Sequence, residues 1–240
     1  MDLKIQKFLR CSIVVNQCKA CFERTNHQMK TIYFVRHGQT LLNQFHRMQG
    51  WVDSPLTKKG ESQAKATGER LADVTFSLAI SSDMMRAIHT LDIILAQNKH
   101  ADTIKREVHQ DVREIYFGSF EGIDSVQTWN MISRPLGYLT QEALINQYGL
   151  LKVRDFMHDA DPFHEAETAD HTEIRIKNAV SKITNELQDG ENALVVSHGT
   201  LLRNLATIYS ADGTIAKQPQ NGSVTILDVT SAPKVIPSGQ

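Results

Sequence analysis

The chain has 240 residues, a net charge of −1, 41% hydrophobic and 22% charged residues, a size suited to one sizeable α/β domain. With near-neutral charge and no Lys/Arg cluster, nucleic acid is not expected as a partner. No apolar run approaches the roughly 20 residues that span a bilayer, so no membrane partner is expected either.

The first 28 residues stand apart and hold all three cysteines, Cys11, Cys18 and Cys21. Cys18 and Cys21, with His27 beyond, make half a zinc site at most, because no second ligand pair follows at a workable spacing. The apolar patch Ser12–Val15 is too short for the core of a secretory signal. Residues 1–28 are therefore expected to be a disordered leader or no part of the natural protein, with Met29 as the natural start and the domain over 29–240. No cysteine after Cys21 demands an oxidising compartment, and a cytoplasmic location is expected.

Thr31–Val35 is a short apolar, β-branched run and predicts a buried strand. A loop follows, and Thr57 is placed to cap a helix reaching about Ala72. Leu78–Ser81 predicts the next strand. Met84, Ile88, Leu91 and Leu95 recur at helical spacing and predict a helix over 83–97. Ile104–Val108 reads as a strand, followed by the turn-rich DVREIYFGSFEG. Residues 123–167 then break the alternation with short helices and loops, the pattern of a lid insert. Helical periodicity returns over 170–188, followed by a strand at Ala193–Ser197, a helix from Thr200 to about Ser210, and a final strand at Ser223–Val229. This order predicts a three-layer α/β/α sandwich with a mostly parallel central sheet and a helical lid insert at about 123–167.

Two strands end on the same pair, in TIYFVRHGQT (31–40) and ALVVSHGT (193–200). Ligands of open parallel sheets bind beyond the carboxyl ends of the strands. If the strands at Val35, Ser81 and Ser197 are neighbours, His37, His198, Arg36 and Arg86 converge on one crevice. Guanidinium forks match phosphoryl oxygens, and a neutral imidazole can attack phosphorus. Gly38 would let an anion approach the backbone, and Gly199, near a helix start, would aim N–H groups at it. A leaving alkoxide needs a proton, for which Glu114 is the first candidate and Glu121 the second. Taken singly, each residue reads as a turn, surface or ion-pair residue; their joint placement at strand ends favours a site.

RHGQT with Asn43, then QGWVDSPLTKKG (49–60), SSDMMRAIHT (81–90), EIYFGSFEG (114–122) and SHGTLLR (197–203), resembles the histidine phosphatase superfamily, phosphoglycerate-mutase-like branch. The motifs follow the family's order over nearly all of 29–210. The resemblance implies that His37 is the phosphorylated nucleophile and Glu114 the proton donor. It implies that Arg36, Arg86 and His198 complete the phosphate pocket with Asn43 in support, and that no metal or other cofactor is needed. One departure is EAETAD, where the family often shows Gly-Glu-Ser before the long helix near 170.

The lid holds three Lys/Arg (Arg134, Lys152, Arg154) against seven Asp/Glu, a poor setting for a second phosphate. The reading is therefore a metal-independent phosphomonoester hydrolase acting on a small phosphorylated metabolite through phosphohistidine. Mutase-type phosphoryl transfer is the alternative, and a non-catalytic phospholigand-binding module is a further one. The acid- and His-rich stretch 158–171 is a rival metal site, outweighed by its reading as a solvated lid edge. Trp129, Tyr138, Phe156 and Phe163 are expected mostly to pack the lid onto the domain.

Overall fold

A computed structural model describes residues 28–236; the three cysteines and His27 lie outside the described residues. The elements run β1 (Thr31–Arg36), α1 (Leu41–Gln44), α2 (Lys58–Arg70), β2 (Leu78–Ser81), α3 (Met85–Leu95), β3 (Lys105–Val108), α4 (Ser125–Ser133), α5 (Gln141–Tyr148), α6 (Lys152–Ala160), α7 (Ala169–Glu186), β4 (Asn192–Ser197), α8 (Gly199–Ile208), β5 (Val224–Asp228) and β6 (Lys234–Ile236). The sheet order is β3-β2-β4-β1-β5-β6. β3, β2, β4 and β1 are parallel, while β5 and β6 are antiparallel to their neighbours.

The strands form because their apolar residues are wanted on both faces. Ile32 and Phe34 of β1, Leu78 and Ile80 of β2, and Ala193 and Val195 of β4 enter one core. Val35, Ala79, Leu194 and Val196 enter the other. Period-two alternation thus serves two hydrophobic layers, so these strands read as continuous apolar runs. The first core is shared with Ile176, Val180 and Ile183 of α7, Leu201, Leu202 and Leu205 of α8, and the lid. The second is closed by Ala87, Leu91, Ile94 and Leu95 of α3. Each such side chain, fully buried, contributes roughly 1.5–3 kcal/mol.

Two elements were not expected from the sequence. Helix α1 covers only four residues, nucleated by a capping box in which the Thr40 hydroxyl accepts from Asn43 N and the Asn43 side chain accepts from Thr40 N. So short a helix has no periodicity to find. Strand β6 is likewise three residues long, and its Lys234 is exposed at the sheet edge, as edge strands often are. The lid consists of helices α4–α6, with Gly137 and Gly149 at φ of 83° and 85° turning the chain between them.

The loop leaving β1 is pressed against the start of α2. A Cβ on Gly38 would lie 2.3 Å from Gly60 O, and one on Gly60 would lie 2.1 Å from Gln39 O. Gly38 is thus needed for close backbone packing and not, as first read, to admit an anion. Gly60→Ala forces a methyl against backbone with no flexible neighbour to yield. It is expected to lower stability by about 1–3 kcal/mol, read as a drop in the urea midpoint; an unchanged midpoint would contradict this packing.

Candidate active site

The sheet order makes β2, β4 and β1 consecutive neighbours, and their ladders continue past the strand ends. His37 N donates to Ser197 O at 3.0 Å, and Ser82 N donates to Val196 O at 3.2 Å. The residues after the three strands are thereby set side by side. The His37 and His198 rings stand edge to face with centroids 5.2 Å apart.

His37 is buried, and its Nδ1 lies 2.7 Å from Gly38 O. A carbonyl oxygen only accepts, so Nδ1 carries the proton and Nε2 keeps its lone pair. Burial first, then Arg86 and Arg36, hold the His37 pKa well below 6.5. His198 is held well below 6.5 by burial, Arg86 and His37. Both imidazoles are therefore neutral near pH 7.

The arginines are less uniform than expected. Arg36 donates through Nη1 to Pro219 O (2.6 Å) and keeps a buried, unpartnered Nε. Its Cζ would lie 2.9 Å from a Cβ on Gly199, so Gly199 makes room for the guanidinium. Arg86 is fully buried, and its fork is occupied by Gly50 O (2.6 Å), Val52 O (3.0 Å) and Asp53 Oδ1 (2.9 Å), leaving only Nε unpartnered. It is not among the residues that line the cavity described below and stands behind it. Asn43 lines the cavity but spends its side chain on Thr40 N, Gln49 Oε1 and Asn221 Nδ2.

Glu114 lies across the start of α8. Its Oε1 accepts from Leu201 N (2.8 Å) and Ile115 N (2.9 Å), and its Oε2 accepts from Thr200 N (2.9 Å). The amides after Gly199 thus meet this carboxylate, where the sequence reading gave them to the ligand; a carboxylate suits a helix N-terminus. The backbone of Glu114 is held too. Its carbonyl accepts from Trp51 Nε1 and from Arg175, which forms a bidentate pair with Glu167. Glu167, from the EAETAD stretch, thus holds the guanidinium that fastens the Glu114 backbone. Glu121, the second acid candidate, accepts from the amides of Gly50, Trp51, Val52 and Phe117. That is a loop-fastening role, and unlike Glu114 it does not line the cavity described below.

A cavity of about 570 Å³ is lined by Arg36, His37, Asn43, Glu114 and, on its lid side, Arg47, Trp129, Glu142, Arg154 and Arg203. Arg154 was counted at the sequence level only as one lid cation. It is fully buried, none of its three guanidinium nitrogens has a hydrogen-bond partner, and its Cζ lies 5.4 Å over the Trp129 ring. Burial lowers its pKa to about 10, against the pull of Glu114 and Glu167, so it remains charged at neutral pH. The signal in the sequence was its place on α6 beside Val153 and Met157, both buried. Arg203, from α8, is held in a bidentate pair by Glu142.

The acid-rich rival segment is used up locally. Asp161 accepts from Ser119 Oγ and from the amides of Phe163, Glu165 and Ala166, and His158 Nδ1 donates to Ala166 O. Trp129, Tyr138 and Phe156 pack against the main core as expected, but Phe163 is 73% exposed. Among the described residues, no helix is long and apolar enough to cross a membrane.

Two neutral imidazoles and buried, partly unpartnered guanidiniums at the carboxyl edge of a parallel sheet form a site with donors left over for an anion. The chain belongs to the histidine phosphatase superfamily (branch 1), whose family model matches residues 32–134 and 136–237. It is 31% identical over 177 residues, 73% of each chain, to the 2,3-bisphosphoglycerate-dependent phosphoglycerate mutase 2 of Gloeobacter violaceus. It is 33% identical over 178 residues, 74% of this chain and 76% of the relative, to the corresponding mutase of Cytophaga hutchinsonii. The crystal structure of phosphoglycerate mutase from Bacillus anthracis is similar at 34% identity and a TM-score of 0.79, covering 89% of this chain and 94% of that one.

The two depressed histidine pKa values set a pH dependence. The unfolded chain protonates these imidazoles near 6.5 while the folded chain does not, so the unfolded state binds more protons below that pH. Their contribution to stability is full above 6.5 and is lost as pH falls towards the folded pKa values. The melting temperature is expected to fall between pH 7 and 5, with a shallower fall in His37→Asn. Equal slopes in the two proteins would contradict neutral burial of His37.

Proposed function

We propose that the chain transfers the phosphoryl group of a small phosphomonoester to His37 Nε2, and that its substrate carries a second anionic group. The observation that carries this reading is the set of buried donors without protein partners: Arg36 Nε, Arg86 Nε and His198 Nδ1 near His37, and all three Arg154 nitrogens on the lid side of the cavity. Buried donors are almost always satisfied in folded proteins, and two phosphoryl or carboxylate groups would supply the acceptors.

The His37 Nε2 lone pair attacks phosphorus and forms the N–P bond as the P–O bond breaks. Arg36 and His198 stabilise charge on the phosphoryl oxygens, and Glu114 gives a proton to the leaving oxygen. In mutase-type transfer a second substrate hydroxyl then attacks the phosphohistidine and returns its proton to Glu114. The Arg154 position and the mutases among the relatives support this fate over the plain hydrolysis suggested by lid charge. Water in place of that hydroxyl gives hydrolysis. One observation favours this second reading: Glu142 already neutralises Arg203 on the lid side. A small phosphoester is the partner in both readings, and neither step calls on a metal.

The test is conversion of 3-phosphoglycerate to the 2-isomer, primed with 2,3-bisphosphoglycerate in EDTA, with inorganic phosphate release followed in parallel. Isomerisation ahead of release supports the mutase reading; release alone supports hydrolysis. His37→Ala is expected to lose activity by on the order of 10³-fold or more; equal activity would sink the phosphohistidine route. Arg154→Met is expected to lower kcat/KM for 3-phosphoglycerate at least about tenfold relative to kcat/KM for p-nitrophenyl phosphate. An unchanged ratio would remove Arg154 from substrate binding.

A further inference from the structure

Ser82 follows β2 directly and is fully buried. Its Oγ lies 2.7 Å from His198 Nε2 and accepts from Met84 N at 3.4 Å. Among the described residues these are the hydroxyl's two hydrogen-bonding neighbours. His198 itself is fully buried, and its other ring nitrogen, Nδ1, has no partner.

A neutral imidazole carries one N–H, so the proton sits on Nε2 or on Nδ1. With the proton on Nε2, that nitrogen would donate to Ser82 Oγ, and the hydroxyl hydrogen would be left without an acceptor in a buried place. That arrangement leaves two buried polar groups unmet, this hydrogen and the Nδ1 lone pair, against one in the other tautomer. With the proton on Nδ1, the Ser82 hydroxyl donates to Nε2 while its oxygen accepts the Met84 amide. Every group of the serine is then satisfied, and the one unmet donor is His198 Nδ1–H.

We propose that Ser82 is a positioning residue that fixes His198 in the Nδ1–H tautomer, making that N–H a hydrogen-bond donor to the phosphoryl group held at His37. This rests on the phosphoryl-transfer reading and says how the second histidine serves it. Ser82 touches no substrate and acts through His198 alone. The neutrality of His198 follows from its burial next to Arg86 and His37.

The experiment is ¹⁵N NMR of the full chain with labelled histidine, wild type and Ser82→Ala, with and without inorganic phosphate. In the wild type, His198 is expected to show a protonated Nδ1 and an unprotonated Nε2, and the Nδ1–H signal is expected to shift when phosphate is added. In Ser82→Ala, the proton is expected to redistribute towards Nε2. Its kcat is expected to fall about tenfold to a hundredfold, within the range for losing one donor to a developing oxyanion, with KM changed less than about threefold. Ser82→Thr keeps the hydroxyl and is expected to restore the Nδ1–H tautomer. A protonated Nε2 in the wild type, an Nδ1–H signal indifferent to phosphate, or a folded Ser82→Ala protein with unchanged kcat would each overturn the proposal. The wild-type spectra decide the matter even where the alanine variant does not fold. They are recorded on the resting protein, so a failure of phosphoryl transfer shows separately, as an Nδ1–H tautomer in a chain that turns over no phosphoester.

Discussion

The parallel pairing of β4 with β1 on one side and β2 on the other is the constraint on which the site depends. The pairs Arg36↔Ser197 and Ser81↔Val196 put the three strand ends level. Because the ladder runs one bond further at His37 and Ser82, the side chains beyond the strands inherit the register of the sheet. Side chains alternate faces with a period of two, so a slip of one residue would send His37 or His198 to the wrong layer. The apolar content of β1 and β4 forbids that slip, since it would exchange residues between two differently shaped cores. The catalytic geometry is in this sense set by hydrophobic packing.

What that packing holds in place is electrostatically unfavourable without a ligand. Arg36 and Arg86 crowd two buried imidazoles, Arg154 is buried on the lid side of the cavity, and several nitrogens of the three go unpartnered. Burying charge in this way is costly, and its persistence requires rigid support. Asp53 supplies some of it: one oxygen pairs with Arg86, and the other accepts from Met85 N at the start of α3. Arg175 and Glu167 supply more, clamping the carbonyls of Asp111, Arg113 and Glu114. Glu121 fastens the 50–52 loop whose carbonyls occupy the Arg86 fork. Each support is a charged group with its bonds met, placed just outside a set of charged groups with nitrogens left over.

Most of the fold was legible because it rests on signals that travel with local sequence. The Thr57 cap, the Leu78–Ser81 strand and the amphipathic α3 and α7 all formed within two residues of expectation. The His-Gly junctions were legible as a site because two strands ended alike. What escaped were features without a local signature. Helix α1 and strand β6 are too short to show a period. The capture of the Arg86 fork by Gly50, Val52 and Asp53 joins residues more than 30 positions apart, and nothing in SSDMMRAIHT reports it. Gly38 reads by its usual association with anion sites, whereas the close approach that demands a glycine there comes from the Gly60 backbone, 22 positions on.

The lid shows why composition is a poor guide to the charge a cavity presents. Three cations against seven acids describe its net charge, but a substrate meets only the side chains that face it. Asp155 and Asp161 are bound to backbone amides, and Glu167 is paired with Arg175. Arg154 instead lies on the buried side of α6 among apolar neighbours, where its field is least screened and it has no protein acceptor. Arg47 and Arg203 reach the same space from outside the insert and were absent from the count. The lid is acidic in total, yet to the cavity lining it contributes one acid, Glu142, and one cation, Arg154, with Arg47 and Arg203 adding positive charge from outside it. The same distinction separates the two fates of a phosphohistidine, because holding a second anion depends on charge at that inner face. With Glu142 set against Arg203, Arg154 is the insert's lining cation that has no protein acceptor.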